Sequence, residues 1–341
     1  MQRQVILVFF EALRRDHLHC YGYPRETSPV IDGIVTGKQG IMWSACQSMA
    51  GDTVGTFRHL SNYVKTLSDN KVPTLLYSAN LTPISVFPAS VSCYHEVRAW
   101  EAGYLRPATD PPAARSLIEA FIGAARRHQS FFGVLHFQET HCPYQSWGHA
   151  ERFIGDETYR RDLDRWPGLS MKALVDLDKT ESLQVYDGPD PDAGVASVLW
   201  TRGASRKRGK RVATLPAYYV AQYDGAIWFT DSCLPPLLDA FPGAEIWVTG
   251  DHGEGFYDTG SQFACHGYGL FPELRNVPLV VRTPRDLALY ARVMGGAVTH
   301  DGLYNEILRS FGVHTHRLGL PWPDATDEVK KRLEGLGYVG R

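Results

Sequence analysis

The sequence predicts an α/β fold, in which a mainly parallel central sheet carries helices on both faces and one irregular segment is inserted. Short apolar runs alternate with amphipathic stretches along most of the chain, as expected of strands and helices around a parallel sheet. The run at 5–10 is apolar at every position, which is typical of a strand buried on both faces. Acidic or imidazole residues follow three such runs, and open α/β sheets bind ligands beyond the carboxyl ends of their strands.

Spacing and boundary residues predict the individual elements. Apolar residues from Phe57 to Leu67 recur at helical spacing, and Asp52 or Thr53 is suited to cap that helix. Pro235 and Pro236 interrupt the last long helical stretch. In chain order we expect strands at 5–10, 41–43, 73–77, 131–135 and 244–248, and helices at about 54–67, 113–128 and 215–241.

Residues 145–212 differ in amino-acid composition from the rest of the chain. They are polar and irregular, and they include the turn-rich stretch 187–192 and the basic run 206–211. We interpret the basic run as a solvated loop rather than a specific anion site. We expect 145–212 to be an insertion or lid over the site, within a single catalytic domain that spans 1–341.

Composition limits the classes of function. Hydrophobic residues make up 44% and charged residues 21% of the 341 residues, enough for a sizeable core. The formal net charge is −2, and this balance gives no argument for a nucleic-acid or membrane-surface partner. We find no secretory signal and no apolar run of the ~18 residues that a membrane span needs.

The cysteines do not indicate a zinc ribbon or a dense disulfide framework, because they are scattered and form no CxxC pair. A cytoplasmic protein is therefore the default expectation. The even number leaves an exported form open. The cysteines are Cys20, Cys46, Cys93, Cys142, Cys233 and Cys265.

Two predicted strands end in residues that bind metals. Asp251 and His252 follow the run at 244–248, and Glu11 follows the run at 5–10. A carboxylate oxygen and an imidazole nitrogen are ligands for a divalent transition metal. Glutamate is rarely buried without a partner, and a shared metal would supply one. An Asp-His-Gly turn that merely ends a strand is the alternative at Asp251.

These motifs resemble those of the alkaline phosphatase/sulfatase superfamily. The opening stretch 11–18 with 21–29 is similar to the start of its members, and 251–254, His266 with Gly267, and 277–281 are similar to its closing metal motif. The tail 329–339 also resembles sulfatase-like C-termini. Glu11 as the first acid, with a threonine nucleophile, is the pattern of phosphoethanolamine and phosphoglycerol transferases, which are usually membrane-anchored.

The resemblance implies that Thr53 is the nucleophile. Helix N-termini favour anions, and metal coordination activates a hydroxyl. Capping is the more common role for a threonine at such a position. Thr53 and Thr56 resemble the Thr-x-x-Ser spacing of the phosphoethanolamine transferases, so Thr56 is a rival. Sulfatases carry Cys-x-Pro-Ser-Arg or Ser-x-Pro-Ser-Arg here, and the residues after Cys46 do not fit that pattern.

The resemblance also implies the remaining site residues and the cofactor. Glu11, Thr53, Asp251 and His252 would hold a divalent metal, with Zn²⁺ favoured and Mn²⁺ as the other candidate. His141 and His266 would bind a phosphoryl oxygen, protonate the leaving group, or hold a second metal. Residues with weaker arguments are His136, which points to the same region but could be a core residue, and Arg58 as a phosphate contact. Arg14, Asp16 and His17 are expected to be supporting residues.

The function expected from this pattern is metal-dependent transfer or hydrolysis of a phosphoryl or substituted phosphoryl group. The substrate would be a small molecule, or a glycan or lipid headgroup that carries a phosphoester. A sulfatase or phosphonate monoester hydrolase with an atypical nucleophile is one alternative. A catalytically inactive member that binds a ligand is the other. The sequence does not determine the oligomeric state.

Overall fold

A computed structural model of the chain describes most of the predicted elements. The described residues are 3–48, 50–79, 81–87, 91–95, 113–141, 144–153, 183–189, 196–200, 210–211, 217–256, 264–266, 271–283 and 298–313. The tail 329–339, and the basic run except for 210–211, lie outside these ranges. The predicted single domain over 1–341 stays a prediction.

A seven-stranded sheet forms the centre of the described part of the chain. Its order is β2-β14-β10-β1-β6-β4-β5. The strands from β10 to β5 are parallel to their neighbours, whereas β14 and β2 extend the sheet in antiparallel fashion. The strands are β1 (Gln4–Phe10), β2 (Gly40–Met42), β4 (Thr74–Ser78), β5 (Ser92–His95), β6 (Phe131–Phe137), β10 (Glu245–Gly250) and β14 (Leu279–Arg282).

Helices cover both faces of this sheet, which confirms the predicted fold class. Side chains at even positions of β1, such as Ile6 and Val8, pack into one apolar core, and those at odd positions, such as Leu7 and Phe9, pack into the other. A continuous apolar run is therefore required at β1. The helices are α1 (Pro29–Thr36), α2 (Thr53–Asp69), α3 (Leu81–Val86), α4 (Ala113–Ala125), α5 (Ala217–Ser232), α6 (Pro235–Ala240), α7 (Pro272–Arg275) and α8 (His300–Ser310).

Short strands complete the structure around the sheet. Among three two-residue strands, β13 (Asn276–Val277) and β15 (Val298–Thr299) each pair with β3 (Cys46–Gln47). The short strand β11 (Gly255–Phe256) pairs with β12 (Ala264–Cys265). Within the predicted insertion, β7 (Leu183–Pro189) pairs antiparallel with β8 (Ala196–Trp200) and β9 (Lys210–Arg211). Part of the segment 145–212 is therefore a small antiparallel sheet.

A buried carboxylate on α5 fixes the loop that follows β1. Asp224 is fully buried, and its oxygens lie 2.8 Å from His17 Nδ1, 2.8 Å from the Tyr23 hydroxyl and 2.7 Å from Arg25 Nη1. The interaction supports the structural role expected for His17. No helix among the described residues has both the length and the apolarity needed to cross a membrane.

Candidate metal centre

The sheet topology brings Glu11 and Asp251 together from opposite ends of the sequence. Phe10 and Gly250 are partners in the parallel pairing of β1 and β10, so the residue after each strand lies at the same sheet edge. Glu11, Asp251 and His252 each offer a ligand atom, and these atoms lie within 4.8 Å of one another. All three side chains are fully buried.

Thr53 projects its hydroxyl into this group. Asp52 is the N-cap of α2, and its Oδ1 accepts a 2.6 Å hydrogen bond from the Gly55 amide. Thr53 is therefore the first residue of the helix and does not serve as its cap. Its Oγ1 donates to Glu11 Oε1 at 2.8 Å and lies 3.2 Å from His252 Nε2.

The two carboxylate oxygens of Asp251 differ in their hydrogen bonding. Its Oδ1 accepts backbone N–H bonds of 2.9 Å from both Ala12 and His252. Its Oδ2 is buried and has no hydrogen-bond partner among the described residues, although it lies 3.5 Å from His252 Nε2. An unpaired buried carboxylate oxygen is costly, and a bound cation would satisfy it.

His252 is oriented so that one nitrogen faces the site. Its Nδ1 lies 2.7 Å from the Gly253 carbonyl oxygen, which can only accept, so the proton is on Nδ1 and the lone pair is on Nε2. Gly253 is required because a Cβ there would lie 1.8 Å from the Glu273 carbonyl oxygen. Close backbone contact thus fixes the loop that carries His252.

The donor set fits a divalent metal. Two carboxylates, one imidazole with a free lone pair and one hydroxyl converge in a buried space, and this combination of oxygen and nitrogen suits zinc or manganese. The buried, unpaired Asp251 Oδ2 is the specific observation that supports the fit. The positions predicted for Glu11, Thr53, Asp251 and His252 are thus brought together.

The Asp251 carboxyl and the His252 imidazole shift each other's pKa. Burial alone would raise the pKa of the Asp251 carboxyl, but the imidazoles of His252 and His136 bring its net pKa below the ordinary value. Burial would lower the pKa of His252, but the Asp251 carboxylate raises it overall. The Asp251 carboxyl is therefore held in its ionised form, as metal coordination requires.

His141 and His266 lie beside the four converging residues. Their rings are 4.9 Å apart in an edge-to-face arrangement, and His141 Nε2 lies 3.8 Å from Glu11 Oε1. His266 Nδ1 lies 3.4 Å from Glu254 Oε1. Burial holds the pKa of His266 well below its usual value and raises the pKa of Glu254 to about 7. The imidazole of His266 is therefore neutral near pH 7.

Thr56, the rival to Thr53, is engaged elsewhere. Its Oγ1 donates at 2.8 Å to the backbone carbonyl of Asp251, and the Ser48 hydroxyl lies 2.6 Å from the same oxygen. These bonds hold the Asp251 backbone against α2. The hydroxyl geometry therefore favours Thr53 over Thr56 as the group that faces the metal ligands.

The supporting residues have distinct contacts. Arg14 pairs with Asp16 through bonds of 2.9 and 2.7 Å, and its Nη1 donates to the Glu254 carbonyl. His136 lies at the site rather than in an isolated core position, with Nε2 3.5 Å from Glu11 Oε2. Among the described residues, no hydrogen bond or ion pair joins Arg58 to the site.

Sequence reasoning missed two residues of the site. Ser48 received no role, because its contact with Asp251 spans 203 positions of the sequence and follows no local pattern. Glu254 belongs to the closing metal motif, but the motif alone does not predict its contact with His266. Its position two residues after His252 was the only available signal.

Comparison with known proteins places much of the chain in one family. The sequence model of the Sulfatase family matches residues 113–313, which is more than half of the chain. Among curated proteins, none matches the sequence.

Solved structures share the fold at low sequence identity. The C-terminal periplasmic domain of phosphoethanolamine transferase EptC from Campylobacter jejuni is 14% identical, with a TM-score of 0.59 over 93% of this chain and 91% of that chain. The corresponding EptC domain from Escherichia coli, in complex with Zn, is 16% identical, with a TM-score of 0.60 over 95% and 88%. A phosphonate monoester hydrolase of Agrobacterium radiobacter is 13% identical, with a TM-score of 0.53 over 92% and 74%.

These neighbours confirm the alkaline phosphatase-like fold that the motifs predicted. Two of them are periplasmic domains, so they give no support to the cytoplasmic expectation. The match over 113–313 extends from α4 to the end of the described residues and includes Asp251 and His252. The chain belongs to the Sulfatase family, within the alkaline phosphatase/sulfatase superfamily.

Proposed function

We propose that the chain is a metal-dependent enzyme that transfers or hydrolyses a phosphoryl or substituted phosphoryl group, such as phosphoethanolamine, with Thr53 as nucleophile. The position of Thr53 Oγ1 carries this proposal, because the atom lies at the start of α2, 2.8 Å from Glu11 Oε1 and 3.2 Å from His252 Nε2. The C. jejuni neighbour, a phosphoethanolamine transferase, supports the class of reaction.

Glu11, Thr53, Asp251 and His252 would hold one divalent ion, for which zinc is our first candidate and manganese the second. The E. coli neighbour is a complex with Zn. When bound, such an ion lowers the pKa of a coordinated hydroxyl and offsets the negative charge of the phosphoryl group. The remaining chemistry falls to side chains and backbone groups of this chain.

In the first step, Thr53 Oγ1 forms a bond to phosphorus while the bond from phosphorus to the leaving oxygen breaks. The hydroxyl proton departs along the hydrogen bond to Glu11 Oε1. The N-terminal end of the α2 dipole stabilises the charge on the phosphoryl oxygens. His141 Nε2 lies 3.8 Å from Glu11 Oε1, so His141 donates a proton to the leaving oxygen, while His266, whose imidazole is neutral, binds a phosphoryl oxygen through a ring N–H.

In the second step, an acceptor hydroxyl or water attacks the phosphorus of the phosphothreonine. The bond between phosphorus and Thr53 Oγ1 breaks, the oxygen regains a proton, and the imidazole that lost a proton receives the one released by the acceptor. A hydroxyl acceptor gives transfer and water gives hydrolysis. The substrate classes that fit are small phosphoesters and the phosphoesters of glycan or lipid headgroups.

A second candidate is a sulfatase or phosphonate monoester hydrolase with an atypical nucleophile. A 2-O glycosaminoglycan sulfatase and the A. radiobacter hydrolase have the same fold. The deciding experiment compares turnover of aryl esters that share one leaving group but differ in phosphate monoester, phosphate diester, phosphonate and sulfate. We expect a phosphoester to be fastest. Faster sulfate turnover would favour the second candidate, and metal binding without any turnover would indicate an inactive binding protein.

A further inference from the structure

The sequence marks His136 as a residue that points to the site, and the structure gives each of its ring nitrogens polar neighbours. His136 is the sixth residue of β6 and is fully buried. Its Nδ1 lies 3.0 Å from the Ser78 hydroxyl on the adjacent strand β4. Phe57 on α2 packs edge-on against the ring at 4.7 Å. The ring is thus fixed by contacts on β4 and α2.

The other ring nitrogen faces two carboxylates. His136 Nε2 lies 3.5 Å from Glu11 Oε2 and 4.0 Å from Asp251 Oδ2. A nitrogen lone pair directed at two carboxylates would be repelled, whereas an N–H would be attracted to both. The favoured tautomer therefore carries its proton on Nε2, and the Ser78 hydroxyl donates to Nδ1.

The two carboxylate oxygens of Glu11 have different neighbours. Oε1 accepts the hydrogen bond from Thr53 and lies 3.8 Å from His141 Nε2. Oε2 faces His136, at a distance that a shift of a few tenths of an ångström would convert into a hydrogen bond. His136 Nε2 has no other hydrogen-bond partner among the described residues.

We propose that His136 is a positioning residue of the metal centre, which directs Glu11 Oε1 toward the metal by holding Oε2 and stabilises the charge of Asp251. This inference rests on the proposed function, because it assigns Glu11 and Asp251 as metal ligands. Partners of this kind orient ligands, and their loss typically weakens metal binding or activity about 10- to 100-fold.

The test is a metal-affinity titration of the full chain with Zn²⁺ against a competing chelator, and it does not depend on activity. His136→Met keeps an apolar side chain of similar length and removes the donor, whereas His136→Gln retains an N–H donor near the position of Nε2. Val134→Ala is the matched control, because Val134 is buried on the same face of β6 and its strand partners are Leu7 and Leu76. Thermal melting of the metal-free proteins measures any general destabilisation.

We expect His136→Met to weaken Zn²⁺ binding by about 10- to 100-fold, His136→Gln to restore most of the affinity, and Val134→Ala to bind like the unmodified protein. Unchanged affinity in His136→Met, or an equal loss in Val134→Ala, would overturn the inference while leaving the proposed function intact. An unmodified protein that binds no metal would overturn both. A lower melting temperature with unchanged affinity would show that His136 serves only the core.

Discussion

The sharpest prediction concerns the two threonines in the first turn of α2. Replacing Thr53 with alanine removes the proposed nucleophile and leaves Glu11, Asp251 and His252 to bind the metal. Loss of one residue of a serine-protease catalytic triad lowers kcat by about 10⁴- to 10⁶-fold, which corresponds to about 5–8 kcal/mol in activation free energy. We expect a loss of this size in Thr53→Ala with only a modest loss of metal affinity.

Thr56→Ala should be far milder because of what Thr56 contacts. Its hydroxyl is one of two that lie within 2.8 Å of the Asp251 carbonyl oxygen, and Ser48 remains after the substitution. Loss of one such hydrogen bond costs about 1 kcal/mol, which is less than a tenfold change in rate. The two variants should therefore differ by several orders of magnitude, and Thr53→Ser should retain measurable activity.

The assay is turnover of a phosphoester by each variant, followed by acid trapping of the intermediate and mass spectrometry of the modified peptide. Metal content measured on the same samples separates loss of the nucleophile from loss of the metal. Phosphate on Thr56, or normal turnover by Thr53→Ala, would refute the assignment. Loss of metal in Thr53→Ala alone would show that the hydroxyl is mainly a ligand.

Three further predictions test the surroundings of this nucleophile. Elemental analysis should find about one zinc or manganese per chain, and Asp251→Asn should sharply reduce this metal content. A chelator should abolish activity. Full activity in the presence of the chelator would contradict the metal centre. Asp224→Ala should lower the free energy of unfolding by about 3 kcal/mol, because it removes three hydrogen bonds to a buried carboxylate that are worth about 1 kcal/mol each. Metal affinity in the folded variant should be unchanged. An unaltered denaturation midpoint would show that these contacts contribute little. Deleting 178–211, which removes β7, β8 and β9 together, should preserve metal binding but change the order of preference among phosphoesters, and identical kinetics on every substrate would exclude a role in acceptor choice.

The elements that sequence predicts best are those whose physical requirement is local. β1 must be apolar at successive positions because its side chains enter two cores, and this leaves a run that is visible without any structure. The sequence predicts either Asp52 or Thr53 as the N-cap of α2, and in the structure the N-cap is Asp52. The rule that ligands gather at strand ends then placed Glu11 beside Asp251.

Contacts between distant segments were beyond such reasoning. Whether Thr53 or Thr56 faces the ligands depends on the rotation of α2 relative to the Asp251 backbone, and spacing alone permits both. The two-residue strands β3, β13 and β15 are too short to leave a periodic pattern. The orientation of His136 depends on Ser78 and Glu11 together, and the sequence separates each of these from His136 by many residues.

Through the parallel pairing of β1 with β10, the proposed metal would also prolong the lifetime of the folded chain. Ala12 and Asp251 are 239 positions apart, so separating these strands would disassemble the ligand set. A ligand that binds only the native state stabilises it by about 4 kcal/mol at a concentration 1,000 times its Kd. Metal-loaded protein should consequently open its sheet more rarely and be cleaved more slowly by proteases. In a cell short of the metal, abundance of the protein would fall together with its activity.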